Sequence, residues 1–244
     1  MRSSCYSIFA GPNPPATLLA HAQSNNVLFI FGHKHFSHNI YNTYWEWRGM
    51  NGTKLKLPLL PLTGDFQYNH ASAALQAVEI IDKDILSNES LLYDGLENVR
   101  LMGRYQKLNK HPEVITDVAH NEDSAIKLFD NLTKEDKKKT YAVIGLLNDK
   151  DAYTLIKPLV PIIEKWFIGT VDSERGMNSS EIRERVKSLV EDNKVDCFEN
   201  MNDAFEAAYK TLYLNDRLII YGSFYTVSEF MNYQKHTEKK LLNE

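Results

Sequence analysis

The sequence has few cysteines, no long apolar run and no excess of positive charge. Cys5 and Cys197 lie far apart, with no metal-binding or redox motif around either, so we expect reduced thiols in a cytoplasmic protein. No segment approaches the roughly eighteen consecutive apolar residues that a membrane span needs. The net charge of −4 gives no support to binding of nucleic acid or an anionic membrane, which requires a clustered basic face. We therefore expect neither as a partner.

The remaining composition is that of an ordinary globular protein. Hydrophobic residues make up 43% of the 244 residues and charged residues 25%. This length suits one large domain or two small ones.

The carboxy-terminal part of the chain alternates between two kinds of segment. Apolar segments typical of buried strands occur near 113–118, 139–146, 163–168, 194–198 and 217–222. Helices are predicted between them, near 121–131, 150–157, 178–190 and 201–212. This alternation predicts an α/β fold, with a mostly parallel sheet covered on both faces.

The amino-terminal part offers less material for a core. Residues 6–10 and 26–31 are predicted strands around a short helix over 16–23, which makes a β-α-β unit. A hairpin-rich region follows, with a strand after residue 54 and a helix over 67–83. We place a domain boundary near Gly95, which gives domains 1–94 and 95–244. The first domain has few elements for a core of its own, so we expect it to be the last part of a larger domain.

Polar side chains follow three of the predicted strands. Asp117, His120 and Asn121 come directly after the strand containing Val114 and Ile115. The carboxyl ends of strands in an open α/β sheet face the crevice where ligands bind. A carboxylate, an imidazole and a carboxamide at such a point suit a polar, charged ligand.

Two further turns repeat this arrangement, at Asn148–Asp151 and at Gly222–Thr226. A Gly-Ser turn between strand and helix exposes backbone N–H groups at the positive end of the helix dipole, which favours anions. Every strand–helix unit needs a polar turn, so a purely structural role stays open for each of them.

Five short motifs in order along the chain resemble one family, the folylpolyglutamate synthase/dihydrofolate synthase enzymes of the Mur ligase superfamily, and most closely their bacterial bifunctional type. In one motif His70 stands at the family's asparagine, with Asn69 one residue early; in another, Met102 replaces a proline. The motifs are Tyr68–Leu75 (Asn-x-x-x-Ala-Leu), Met102–Tyr105 (Pro-Gly-Arg), Asp117–Asn121, Gly145–Asp151 and Gly222–Thr226.

The resemblance implies an identity for each predicted domain. Residues 1–94 correspond to the trailing part of the central ATPase domain, and residues 95–244 to the carboxy-terminal Rossmann-like glutamate-ligase domain. The family's phosphate loop is not matched, and the sequence contains no Gly-x-x-x-x-Gly-Lys-[Ser/Thr]. We therefore expect no metal ligands in this chain, and we expect a separate amino-terminal half to supply the phosphate loop and the magnesium ligands.

The resemblance also implies a reaction and a set of site residues. The family joins L-glutamate to dihydropteroate or a folate with ATP and magnesium, through an acyl phosphate. By motif, Asn69, Arg104 and Asp117 would contact ATP, while His120 and Ser223 would seat the glutamate. Lys150 and Arg175 are weaker additions that we do not include in the predicted site.

Each of these residues has a structural alternative. Asn69 could brace its helix, Asp117 could form a turn, and Arg104 could be a solvated surface side chain. At the level of the whole chain, the alternative is an inactive remnant or binding module that keeps the fold. A dinucleotide-dependent oxidoreductase is disfavoured because no Gly-x-Gly-x-x-Gly follows a strand.

A cluster of three imidazoles, those of His33, His35 and His38, raises the question of a metal site. It falls in a turn after a strand, in a segment that the family does not use chemically. We expect a polar, solvated loop there.

The sequence predicts that this chain alone binds ATP poorly. Charge-assisted hydrogen bonds contribute about 1.5–3 kcal/mol each, so losing about four or five of them removes about 6–15 kcal/mol. Micromolar binding amounts to only about 8 kcal/mol. Isothermal titration with ATP and magnesium should therefore show no tight binding, and a dissociation constant near about 10 µM would refute this expectation.

Overall fold

The computed structural model describes the backbone of residues 1–242 and the side chains of residues 1–237. The chain divides into two compact units, Met1–Arg100 and Leu101–Glu244. The boundary predicted after residue 94 lies inside a helix, Glu89–Glu97. Gly95 suggested a break there, but it is exposed within the helix, where a glycine is tolerated at a cost of about 1 kcal/mol.

The first unit contains two small sheets. A two-stranded parallel sheet is formed around a crossover helix, as the β-α-β prediction required, and a three-stranded antiparallel sheet follows it. The elements are β1 (Tyr6–Phe9), α1 (Ala16–Ser24), β2 (Leu28–Phe31), β3 (Ser37–Ile40), β4 (Tyr44–Arg48), β5 (Lys54–Pro58), α2 (Phe66–Ile81) and α3 (Glu89–Glu97).

The core of the first unit lies between the antiparallel sheet and α2. Trp45 and Trp47 point to the same face of β4 because alternate side chains of a strand share a face. They are buried in one apolar cluster with Tyr68 and Leu75 of α2. The indole nitrogen of Trp47 donates to the backbone oxygen of Ser72 at 3.2 Å, which ties the helix to the sheet.

The second unit is built on one six-stranded sheet, in the strand order β10-β9-β8-β11-β7-β6. All neighbouring pairs are parallel except β6 with β7. The elements are β6 (Gln106–Lys110), β7 (Glu113–Thr116), α4 (Glu122–Thr133), β8 (Thr140–Ile144), α5 (Ala152–Ile156), β9 (Ile163–Gly169), α6 (Ser179–Val186), β10 (Val195–Phe198), α7 (Met201–Thr211), β11 (Arg217–Tyr221) and α8 (Phe224–Leu242).

Both faces of this sheet are covered, as the apolar strands predicted. Ile219 and Tyr221 of β11 pack in a cluster with apolar residues of α4, α5 and α6. Leu218 and Ile220 pack in a second cluster, with residues of α7 and α8. Strands buried on both faces have continuous apolar sequences, which is why the parallel strands were predictable. The expected α/β fold is confirmed.

The antiparallel edge strand β6 was not predicted. Its sequence, Gln106–Lys110, is polar and mostly exposed, as is usual for a strand at the edge of a sheet. Its register places Gln106 opposite Thr116, the last residue of β7. Strand β6 therefore begins beside the carboxyl end of β7, and the turn that precedes it lies at that same edge of the sheet.

The strand order also brings three other segments to this edge. Strand β11 lies between β7 and β8, so the carboxyl ends of these three parallel strands are neighbours. The residues following them are Asp117, Gly222 and Gly145. The helices that follow β7 and β11 cover opposite faces of the sheet, α4 in one core cluster and α8 in the other, and ligands bind in open α/β sheets at the carboxyl ends of strands whose connections diverge.

At the amino-terminal ends of the strands, charged side chains form a network of ion pairs and hydrogen bonds. Arg217, only 3% exposed at the start of β11, donates from Nε to Glu113 at the start of β7. Its other nitrogens donate to Glu135 and to two backbone oxygens. Lys107 and Lys138 each lie 3.3 Å from the Glu113 carboxylate. These charges are paired with one another, so the network holds strands together.

Helix α8 accounts for the helical tail predicted for the last fourteen residues, as far as Leu242. Residues 243 and 244 lie outside the described part of the chain. Within the described residues, no helix combines the length and the apolar character needed to cross a membrane.

Candidate functional site

Asp117 joins two segments at the carboxyl edge of the sheet. Its backbone N–H donates to the oxygen of Ile220 at 2.9 Å and so continues the pairing of β7 with β11. Its carboxylate accepts the N–H of Tyr105 at 2.8 Å through Oδ2, and the N–H of Ala119 at 2.7 Å through Oδ1. A carboxylate has about four acceptor positions, so each oxygen can take a further hydrogen bond from a ligand.

The surroundings of Asp117 raise the pKa of its carboxyl group. Burial raises the pKa from 3.8 to about 6, although the N–H groups of Tyr105 and Ala119 and the positive charges of Arg104 and His120 all act to lower it. In the folded state the carboxyl group thus binds a proton more readily than in the unfolded chain. The free energy of unfolding therefore falls as the pH rises from 3.8 to about 6, the range over which Asp117 ionises.

Arg104 lies in the turn that leads into β6. Gly103 before it has a φ of +65°, and a Cβ there would lie 2.8 Å from Cγ1 of Val118, so the turn requires glycine. The oxygen of Gly103 accepts the N–H of Val118 at 2.7 Å, which fastens the turn to the end of β7.

The Arg104 guanidinium lies over the ring of Phe224, with Cζ 5.7 Å from the ring centroid. Among the residues that the structure describes, it has no hydrogen bond and no ion pair. Arginine carries five N–H donors in a fixed fork that matches phosphate and carboxylate. These donors are available to an anionic ligand at the sheet edge.

His120 is held by the turn after β7. Its Nδ1 lies 2.8 Å from the oxygen of Val118, and because a carbonyl only accepts, Nδ1 carries the proton. Its Nε2 is therefore the atom that can meet a ligand. The next residue, Asn121, forms a capping box with Ser124 at the start of α4, which sets the path of this turn.

The Ser223 hydroxyl makes its hydrogen bonds within the protein, and the predicted contact of this residue with glutamate stays a prediction. The side chain is only 2% exposed, and Oγ accepts the N–H of Thr226 at 3.0 Å, so it caps α8. Oγ also lies 2.8 Å from the Thr226 hydroxyl, which in turn donates to the oxygen of Gly145 at 2.7 Å. The Ser223 hydroxyl, through that of Thr226, thus connects the end of β11 to the end of β8. An anion could bind the backbone N–H groups at the start of α8, because the first N–H groups of a helix have no intrahelical acceptor.

Gly222 allows this close approach of β11 to β8. Its φ is +120°, and a Cβ there would lie 2.4 Å from the oxygen of Gly145. Any other residue would push the two strand ends apart and misplace the amides of the turn.

Phe224 is the functional candidate that the sequence reasoning missed. Its ring is 57% exposed, lies under the Arg104 guanidinium and has its centroid 6.3 Å from that of His120. The available signal was an aromatic residue directly after the Gly-Ser turn, at the first position of a helix. An exposed aromatic ring in a site with four predicted ligand-contacting residues has a candidate role beyond packing.

The structure therefore brings four of the five predicted site residues to one edge of the second unit, namely Arg104, Asp117, His120 and Ser223. Asn69 belongs to the first unit, on α2, where it is half-buried with Oδ1 3.4 Å from Nε2 of His33. Its contact with ATP stays a prediction.

The imidazoles of the first unit make contacts within that unit. His35 Nδ1 accepts the N–H of Phe31 at 3.0 Å, and His38 Nδ1 lies 3.0 Å from the Ser72 hydroxyl. Within the part of the chain that the structure describes, no three His, Cys, Asp or Glu side chains are grouped to hold a metal ion.

The two weaker additions, Lys150 and Arg175, are both paired with Asp149. The Lys150 ammonium lies 2.9 Å and the Arg175 guanidinium 2.7 Å from its carboxylate. Hydrogen bonds from these two cations lower the pKa of Asp149 to about 2. Both cations thus have a partner within the protein.

Comparison with known proteins identifies the relationship. Residues 103–224 match the family described as Mur ligase, glutamate ligase domain. The chain belongs to the Mur ligase family. The matched region contains every residue of the site in the second unit.

Relatives and solved structures agree with this assignment. The dihydrofolate synthase/folylpolyglutamate synthase of Haemophilus influenzae is 30% identical over 94% of this chain and 55% of its own length. Escherichia coli FolC in complex with ADP aligns with a TM-score of 0.84 and 25% identity, over 98% of this chain and 55% of that one. A bifunctional folylpolyglutamate synthase/dihydrofolate synthase with Mn, AMPPNP and L-glutamate bound gives 0.81 and 26%, over 95% and 53%. The chain thus spans about half the length of these relatives, and the predicted resemblance is confirmed.

The contacts of Asp117 predict its titration. We expect a midpoint near 6, well above the ordinary 3.8, in a carboxyl-carbon NMR titration. Arg104→Met should raise this midpoint further, because the positive charge of Arg104 favours the ionised carboxylate. Arg183→Met, which removes a surface partner of Asp192 instead, is the matched control and should leave it unchanged. A midpoint at or below 3.8 in the native chain would show that the environment of Asp117 has been misjudged.

Proposed function

We propose that this chain supplies the glutamate-binding wall, and part of the nucleotide-binding wall, of an ATP-dependent ligase that joins L-glutamate to dihydropteroate or a folate. The observation that carries the proposal is the convergence of Arg104, Asp117 and His120 on one sheet edge, within the region matched by the glutamate-ligase family. The relatives and their ligand complexes support the substrate class.

The chemistry requires an activated carboxylate. An acceptor carboxylate attacks the γ-phosphorus of ATP and ADP leaves, which gives an acyl phosphate. The amine of glutamate then attacks the acyl carbon and phosphate leaves, forming the amide. Negative charge builds on the phosphoryl oxygens during the first step, so the protein must position the reactants and neutralise this charge.

Each residue at the sheet edge suits one part of this reaction. The free guanidinium donors of Arg104 suit the phosphate oxygens, because the fork can bind two oxygens at once. The open acceptor positions of Asp117 suit a ribose hydroxyl. His120 would seat the glutamate through Nε2, with the amides of the Ser223 turn receiving its carboxylate.

The 244 residues contain no phosphate-loop motif, so binding of the ATP phosphates requires a further polypeptide segment. The phosphate loop and the magnesium ligands would come from a polypeptide segment that corresponds to the other half of the relatives. Magnesium would supply charge neutralisation at the phosphates when that segment is present.

Complementation tests the proposal. A strain lacking dihydrofolate synthase should be rescued when this chain is expressed together with the phosphate-loop half of the Haemophilus influenzae relative, and should fail to grow with either part alone. In the assembled enzyme, Arg104→Met should lower kcat/KM for ATP roughly 10- to 100-fold, since one charge-assisted contact is worth about 1.5–3 kcal/mol.

Arg183→Met again serves as the control, because Arg183 is a surface cation paired with Asp192, ahead of the start of β10, and the variant should retain full activity. Rescue by this chain alone would overturn the need for a second segment. Failure of the co-expressed, folded halves to rescue growth would favour a binding module that has kept the fold.

A further inference from the structure

Phe224 has features that packing does not explain. It is the first residue of α8, and its ring is 57% exposed, whereas Val227 and Phe230 of the same helix are 2% and 0% exposed. Helix α8 packs against the core through Phe230 and the partly buried Tyr233. The first position of a helix has no general requirement for an aromatic side chain. Phe224 thus lies outside the core that α8 covers, and its ring contacts Arg104 and His120 instead.

The Arg104 guanidinium lies over this ring. Its Cζ lies 5.7 Å from the ring centroid, and in the described chain the guanidinium has no hydrogen-bonding or ionic partner. A cation over an exposed ring gains about a two- to fivefold preference for the contacting rotamers. The contact uses the charge and not the N–H groups, so all five donors remain for a ligand.

The His120 imidazole is restrained by the same ring. One end is fixed by the hydrogen bond from Nδ1 to the oxygen of Val118, which leaves rotation of the ring to be limited by what lies beside it. The Phe224 centroid is 6.3 Å away with the planes tilted by 40°, within the range of interacting aromatic pairs. Nε2, the atom available to a ligand, is thereby given a direction.

We propose that Phe224 is a positioning residue, whose ring sets the directions of the Arg104 guanidinium and the His120 imidazole relative to the turn at Gly222 and Ser223. This inference rests on the proposed function only in so far as Arg104 and His120 bind ligands. Because Phe224 directly follows that turn, one short segment carries both the anion-binding amides and the ring that orients the two side chains. A misplacement of reacting groups by about 1 Å can cost on the order of a hundredfold in rate, which gives such a device its value.

NMR spectroscopy of the chain tests this proposal without substrate. The native protein should show nuclear Overhauser contacts from the Phe224 ring to the Arg104 side chain and to the His120 ring, and an ordered Arg104 Nε–H group. Phe224→Leu should lose the ring-current shifts of both side chains and reduce the order of the Arg104 Nε–H group. Phe224→Tyr keeps a ring and should restore both properties.

Tyr225→Leu is the matched control, because it removes the neighbouring aromatic side chain, which is 44% exposed, and should change neither signal. The amide signals of Thr226 and Val227 report whether α8 is intact in each variant. The proposal is overturned if Phe224→Leu leaves the Arg104 and His120 signals as in the native chain, or if Tyr225→Leu produces the same losses. Absence of the ring contacts in the native protein would overturn it whether or not any variant folds.

The two proposals fail separately. The ring contacts and the order of Arg104 are properties of the unliganded chain, so a failure of complementation leaves them unchanged. Conversely, unaltered Arg104 and His120 signals in Phe224→Leu would remove the positioning role while leaving the ligase proposal intact.

Discussion

The carboxylate of Asp117 fastens the turn that carries Arg104 to the end of strand β7. It does so by accepting one backbone N–H from Tyr105 and another from Ala119. Burial of the ionised group is costly, and the raised pKa reflects that cost. The N–H groups and nearby positive charges offset part of it. The same group thus holds the site in shape and presents acceptor positions to a ligand.

Two glycines make the rest of this edge possible. Gly103 lets the Arg104 turn approach Val118, and Gly222 lets the end of β11 approach the oxygen of Gly145. Both have positive φ values that other residues rarely adopt. The buried Ser223 hydroxyl then locks the second turn against β8 through Thr226. Rigid turns of this kind keep ligand-binding groups in place before a ligand arrives.

Much of the second unit could be predicted from its sequence, because strands buried on both faces are continuous apolar segments and the polar residues after them mark the carboxyl edge. The location of Asp117 and His120 at this edge followed from that pattern, while their ligand contacts stay predictions. Strand β6 was missed, since pairing at a sheet edge, not burial, makes its polar sequence a strand. The inward turn of the Ser223 hydroxyl and the contacts of Phe224 depend on how β8, β11 and α8 meet. No local sequence pattern specifies how these three elements pack together. The motif resemblance picked out Gly222–Thr226 but did not show which of these residues turn inward and which face a ligand.

The central claim is that ligands bind at the carboxyl edge of β7 and β11. Chemical-shift mapping of this chain with L-glutamate tests it most directly, with D-glutamate as the matched control. We expect L-glutamate to shift the His120 ring signals and the amides of Ser223 and Phe224 more than D-glutamate does. Shifts centred instead on the opposite edge, around Glu113 and Arg217, or equal responses to the two enantiomers, would contradict the account.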